Sequence, residues 1–177
     1  DIFKIEEGAE LYVIHCAAIV YIKSKYNPKV YDVNVNGTKN IIEKVLEKNA
    51  KLVYVNTVHA ITEKPNNELM TEINNFEPEK IKGQYAKTKA EIANYVLETV
   101  KTRNLNACIV HPSGIIGPND FGNSHLTQLI IYSLYTLQSN SNFSNQKAKK
   151  ELGYKNRELK ETIRDTIIWL KENGRIN

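Results

Sequence analysis

The sequence has little of what would mark several protein classes. Its two cysteines, Cys16 and Cys108, both lie inside apolar runs. That argues against a disulfide scaffold and for small buried side chains in a reducing compartment, so a cytoplasmic protein is the expectation. The four histidines, His15, His59, His111 and His125, are scattered without metal-ligand spacing, and no metal site is expected. No apolar run is long enough to cross a bilayer and no signal-peptide pattern opens the chain, so neither a membrane-spanning nor a secreted protein is indicated. Charge of one sign is thin, a net +4 spread over 177 residues. The one dense basic cluster, "KAKK" at 147–150, adjoins Glu151 and reads as a solvated helix face. Without a basic patch interleaved with aromatic or base-reading groups, no nucleic-acid partner is expected. The sole methionine is Met70, and the chain enters an apolar run almost at once, so a piece of a longer sequence is the expectation.

What is present is an alternation. "LYVIHCAAIV" (11–20) is a continuous apolar run, expected as a strand buried on both faces. Residues 31–49 show helical periodicity, "KLVYVNT" (51–57) reads as a second buried strand, and a polar loop follows over 62–82. A helix to about Arg103 and a third strand in "NACIVHPSGIIGP" (106–118) complete the series. The "QSNSNFSN" stretch leads to a helix that Ser144 could cap and Gly153 could end, and a last helix stops at Gly174. Strand, helix, strand, helix, strand indicates an α/β fold with a parallel sheet and crossover helices. Such sheets bind ligands outside the carboxyl ends of their strands, here residues 15–18, 56–59 and 111–117.

The helix "GQYAKTKAEIANYVLETV" (83–100) carries Tyr85 and Lys89 four residues apart, one above the other on one face. Ten tyrosines and twenty lysines give about one Tyr-x-x-x-Lys by chance, and there are two. The other, Tyr21 and Lys25, reads as decoration. Ala86, Ala90, Ala93, Leu97 and Val100 form a buried stripe, and Tyr85, Lys89, Ile92 and Val96 lie on its shoulder. An ammonium beside a phenol lowers the phenol's pKa toward neutrality, which suits proton transfer to a carbonyl oxygen. Thr57, at the end of the preceding strand, is placed to add a hydroxyl.

With "VIHCAA", "NVNGTKN", "LVYVNTVHAI", "YAKTK", "HPSGIIGP" and "KAKKELGYKNRELKETIRDTIIWLKENG" in this order, the chain resembles the extended short-chain dehydrogenase/reductase family. It looks most like the dihydroflavonol-reductase-like members and the related nucleotide-sugar epimerases. The resemblance implies a Rossmann-like, doubly wound parallel sheet with a small C-terminal substrate lobe. Residues 1–120 would be the C-terminal part of the NAD(P)-binding domain, and 121–177 the remnant of the substrate lobe with the C-terminal helices. It implies Tyr85 as general acid/base, Lys89 as the group that lowers its pKa and holds the nicotinamide ribose, and Thr57 as the hydroxyl that polarises the carbonyl. Ala17 and Ala18 would pass the cofactor's adenosine half, Asn34 would order the site, and Pro112 and Ser113 would border the nicotinamide. Ala17 and Ala18 equally suit tight packing, Asn34 a local backbone bond, and Pro112 with Ser113 a plain turn at a strand end.

The implied function is an NAD(P)-dependent oxidoreductase passing hydride between nicotinamide and a carbonyl or alcohol carbon, with NAD and NADP both open. A nucleotide-sugar epimerase or dehydratase with the same triad is the alternative, and a truncated non-catalytic binding module a second one. The partners implied are a small carbonyl, alcohol or nucleotide-sugar substrate and a second copy paired through the tyrosine helix. Three departures stand against the family pattern. His111 stands where arginine is usual, and Asn56-Thr57 where two small hydroxyl residues are common. The glycine-rich phosphate-binding turn is missing. Beyond these three, much of a substrate lobe is skipped between Leu129 and Ser139.

Overall fold

The computed structural model describes residues 8–21, 23, 25–115, 117–119 and 140–176. The stretch from Leu129 to Ser139 lies outside the described residues. The chain forms two compact units, one from Asp1–Thr62 and Ile73–Ser113, the other from Glu63–Glu72 and Gly114–Asn177.

The first unit holds a three-stranded parallel sheet in the order β1 (Tyr12–His15), β2 (Lys51–Val55), β3 (Ala107–Val110). The crossover from β1 to β2 is α1 (Pro28–Tyr31), a π-helical turn (Asp32–Gly37) and α2 (Thr38–Glu47). The crossover from β2 to β3 is α3 (Gln84–Arg103). This is the expected α/β parallel architecture.

Packing follows side-chain alternation across the strands. Leu52 and Tyr54 of β2 are buried with Val35, Ile42 and Val45 of the first crossover and Ile92 and Val96 of α3. Full burial of an aliphatic side chain of this kind contributes about 1.5–3 kcal/mol. The alanine stripe of α3, Ala86, Ala90 and Ala93, meets a second cluster of Ala60, Ile61, Phe76 and Ile81. The two stripes read along the helix thus serve two separate clusters, and α3 is buried over a broad face. It ends at Asn104, whose left-handed backbone (φ 56°) lets its N–H reach the Thr99 carbonyl.

Two expectations are corrected. β1 is four residues long and is not buried on both faces: Tyr12 is 58% and Ile14 69% exposed. The ladder stops after His15 because the chain turns away through three small residues to Ile19. There the backbone N–H and C=O pair with the Asn34 side chain instead of a strand. Cys16, on that turn, is exposed and not a buried hydrophobe, while Cys108 in β3 is half-buried.

In the second unit the polar "QSNSNFSN" stretch has a structural use. Met70 and Phe143 form a parallel bridge, Met70 N donating to Asn142 O and Ser144 N to Met70 O at 2.8 Å each. Asn140 Nδ2 donates to the carbonyls of Glu68 and Lys64, and Asn142 Nδ2 to that of Asn67. Then come α4 (Gln146–Leu152), with Gln146 N donating to Ser144 Oγ and Gly153 at φ 65°, and α5 (Leu159–Glu172). Among the described residues no helix is long and apolar enough to cross a membrane.

Candidate active site

The polar side chains of the first unit gather at the carboxyl ends of β1 and β2, facing the first turns of α3. Lys89 is 2% exposed, and its Nζ donates to the Val55 carbonyl at 2.8 Å and lies 4.7 Å from the Tyr54 ring centroid. Burial lowers its pKa to about 8, with Cys16 acting the other way. Removing an ammonium from water without a carboxylate partner has this effect.

Tyr85 is half-buried, and burial pushes its phenol up. Lys89 Nζ is on Val55 O and the Tyr54 face, and desolvation dominates at Tyr85. Tyr54 is raised further, by burial and then by the nearby Tyr85 charge, so the two phenols and the ammonium share one neighbourhood.

Thr57 is buried just past β2, with extended backbone, as cap of the short 3-10 turn Val58–Ala60. Its Oγ1 accepts from His59 N at 3.3 Å, which leaves the hydroxyl proton free to donate. Its carbonyl takes a bond from His111 Nδ1 at 3.2 Å, and the Pro112 carbonyl accepts from Val58 N at 3.1 Å. Pro112 is thereby tied to the Thr57 turn, and Ser113 after it is exposed.

Asn34 does more than bond its local backbone. At 1% exposure in the π-helical turn, its Oδ1 accepts from Ile19 N at 2.7 Å. Its Nδ2 donates to Ile19 O and to Thr88 Oγ1, both at 3.1 Å. Thr88 Oγ1 in turn donates to Tyr85 O at 2.7 Å, so Asn34 links the chain after β1 to the turn that bears Tyr85. His15 extends the chain of bonds: Thr38 Oγ1 donates to Asn34 O, so His15 Nε2 donates to Thr38 Oγ1 at 2.9 Å. Burial, then the Lys89 charge, holds His15 below its ordinary pKa and neutral.

Ala17 lines a groove of about 380 Å³ with His15 and residues of the π-helical turn and α2, and that groove is not lined by Tyr85, Lys89 or Thr57. Sequence reasoning passed over Thr88 here and held His15 and Asn56 only as positions at the carboxyl ends of strands. Asn56 is 4% exposed, beside Thr57, and both its amide atoms lack a hydrogen-bond partner among the described residues. Its sequence signals are its place at the end of a strand and the departure from a small hydroxyl residue. No cluster of three or more metal-ligating side chains occurs among the described residues.

The chain belongs to the NAD dependent epimerase/dehydratase family, whose pattern matches residues 4–156. It is 31% identical over 115 residues to 3beta-hydroxysteroid-dehydrogenase/decarboxylase isoform 1 of Arabidopsis thaliana, covering 64% of this chain and 26% of that protein. It is 34% identical over 130 residues to sterol demethylase protein B of Methylococcus capsulatus, covering 71% of this chain and 38% of that protein. The chain thus spans well under half the length of these relatives. Among solved structures it resembles gox2253 (TM-score 0.77, 19% identity, 95% of this chain and 80% of that one). It also resembles the dTDP-glucose 4,6-dehydratase of Bacillus anthracis in complex with NAD (TM-score 0.55, 22% identity, 71% and 38%). The fold is Rossmann-like.

Proposed function

We propose that this chain carries the proton-transfer site of an NAD(P)-dependent oxidoreductase, with Tyr85, Lys89 and Thr57 as its working residues. The observation that carries the reading is the buried Lys89 ammonium at the carboxyl end of β2, with a pKa of about 8 and one donor on Val55 O. The other two N–H donors suit a ligand's hydroxyl groups. The Asn56 carboxamide, next in the chain after Val55 and without a partner among the described residues, likewise suits a ligand with donors and acceptors. These residues fit a nicotinamide nucleotide, which when bound supplies or accepts the hydride at carbon. Thr57, its hydroxyl proton free, donates to the carbonyl oxygen. Tyr85 gives that oxygen its proton in reduction and takes it back in oxidation. Lys89 favours the phenolate that remains, and Asn34 through Thr88 holds the turn carrying both groups. Pro112 and Ser113 would border the nicotinamide, and Ala17 and Ala18 the adenosine half.

The relatives named as hydroxysteroid dehydrogenases and a sterol demethylase protein support a sterol-like secondary alcohol as substrate over a dihydroflavonol. An epimerase or dehydratase would use the same three residues, and the NAD-bound dehydratase of the same fold favours keeping that reading. It predicts retained NAD without net consumption, and a non-catalytic module predicts neither retention nor turnover. The test is oxidation of a 3β-hydroxysteroid with NAD or NADP by the protein and by Tyr85→Phe. A loss of about a hundredfold or more in kcat with an unchanged circular dichroism spectrum is expected; comparable turnover in the variant sinks the assignment.

A further inference from the structure

We infer that Gln84 is a positioning residue for Tyr85, its carboxamide anchoring the first turn of α3 by pairing at two points with the backbone of Asn27. The inference rests on the reading of Tyr85 as proton donor. The helix that carries Tyr85 opens at Gly83, at φ 86°, with no side-chain cap among the described residues. An uncapped first turn has orphan N–H groups and frays. Tyr85 is the second residue of that turn, so fraying would displace its hydroxyl.

Gln84 leaves those N–H groups as they are and instead ties the turn to another element. Its Oε1 accepts from Asn27 N at 2.8 Å and its Nε2 donates to Asn27 O at 2.7 Å, a closed two-point pairing across 57 residues of sequence. The anchor is itself fixed. Asn27 caps α1, its Oδ1 accepting from Lys29 N at 3.1 Å, and Pro28 follows in the first position of that helix. The other side of the Tyr85 turn is held by Thr88, on which Asn34 also bonds. Ile19 and Asn27, the residues paired by Asn34 and Gln84, both belong to the connection from β1 to α1. Two points of that connection are therefore tied to the first two turns of α3, Asn27 directly and Ile19 through Asn34 and Thr88.

A control exists in the same helix. Asn94 pairs with Phe76 by the same device, Oδ1 accepting from Phe76 N at 2.9 Å and Nδ2 donating to Phe76 O at 2.8 Å. It does so more than two turns beyond Tyr85. A purely structural clamp and a positioning clamp can thus be compared on one element.

The experiment compares Gln84→Met, which keeps length and helix propensity but cannot form either bond, with Gln84→Glu, which keeps the acceptor for Asn27 N–H, and with Asn94→Leu. Turnover of a 3β-hydroxysteroid with NAD, amide hydrogen exchange at Lys87 and Thr88, and the Tyr85 phenol titration by ring-carbon NMR are the readouts. Gln84→Met is expected to lower kcat about tenfold or more with KM little changed, because a reacting group displaced by a fraction of an ångström loses rate before it loses binding. Exchange at Lys87 and Thr88 should rise and the Tyr85 titration should move toward that of a free phenol, with Gln84→Glu recovering part of each. Asn94→Leu should leave all three near the parent values. Turnover within twofold of the parent in Gln84→Met, or an equal loss in Asn94→Leu, overturns the inference. If Tyr85→Phe keeps full turnover, the catalytic reading fails by itself. Exchange and titration then still decide the clamp, and unchanged values in Gln84→Met overturn it.

Discussion

Lys89 offers a test that needs no substrate, because its burial makes stability depend on pH. In the folded chain its ammonium is 2% exposed and burial lowers its pKa to about 8; in the unfolded chain it titrates near 10.4. Below pH 8 both states hold the proton, and the folded state bears the full cost of the buried charge. Between about pH 8 and 10.4 the unfolded chain binds more protons than the folded one, so stability rises with pH. Integrating the two titrations gives a gain of about 1.3 kcal/mol from pH 7 to pH 9. Lys89→Met removes this titration and keeps the length of the side chain. Urea unfolding of parent and variant at pH 7, 8 and 9 reads the difference directly, and the titrating groups that do not sense the Lys89 charge cancel in it. The parent's stability relative to the variant should climb across that range. Tyr54 and Tyr85, both raised by burial, act in the opposite direction only at higher pH, which sets the upper limit of the experiment. A difference that stays flat or shrinks would mean that Lys89 keeps an ordinary pKa, and the desolvated ammonium described above would be refuted.

The other expectations concern the hydroxyl and the asparagine. Thr57→Val should keep the fold yet lower kcat about a hundredfold, the scale of losing one donor to developing charge. Thr57→Ser should stay within about tenfold of the parent, and equal activity in Val and Ser variants would remove Thr57 from the site. Asn34→Ala deletes three hydrogen bonds at a site 1% exposed and strands the backbone groups of Ile19. A loss of about 3 kcal/mol by urea unfolding is expected, and a loss under about 1 kcal/mol would mean that Ile19 finds other partners.

Local signals in the sequence were the ones the structure kept. The helix read over 83–103 is observed as Gln84–Arg103, because a 4-3-4-3 apolar spacing and an asparagine able to adopt a left-handed backbone fix both ends. Strand identity was equally legible, but strand length was not. An apolar run of ten residues became a four-residue strand, since small residues can leave a ladder as easily as continue it. The π-helical turn was invisible, because one inserted residue within residues 31–49 leaves the apolar spacing nearly unchanged. What stayed most hidden were pairings across long stretches of sequence: Asn34 with Ile19, Gln84 with Asn27, Asn94 with Phe76. An amide side chain carries no periodic signal, and its partner is a backbone group of any residue type. Spacing puts Tyr85 and Lys89 on one face but does not say where the ammonium points, and it points to Val55 O.

That choice of partner explains how α3 can be both deeply buried and chemically equipped. The polar groups on and around it are satisfied mainly by backbone: Lys89 by Val55 O, Thr88 by Tyr85 O, Gln84 by Asn27, Asn94 by Phe76, Asn34 by Ile19. A carbonyl partner relieves the desolvation of an ammonium but leaves its charge uncompensated. A carboxylate partner would have raised the Lys89 pKa and neutralised its field. The field that remains reaches His15, which it helps to hold neutral, and by the same physics would stabilise a phenolate formed at Tyr85. In the resting site burial outweighs that attraction and keeps Tyr85 protonated, the state required of a proton donor. A helix built this way stores a positive charge in the protein interior without pairing it, and a charge so stored has an effect only when a negative one develops beside it.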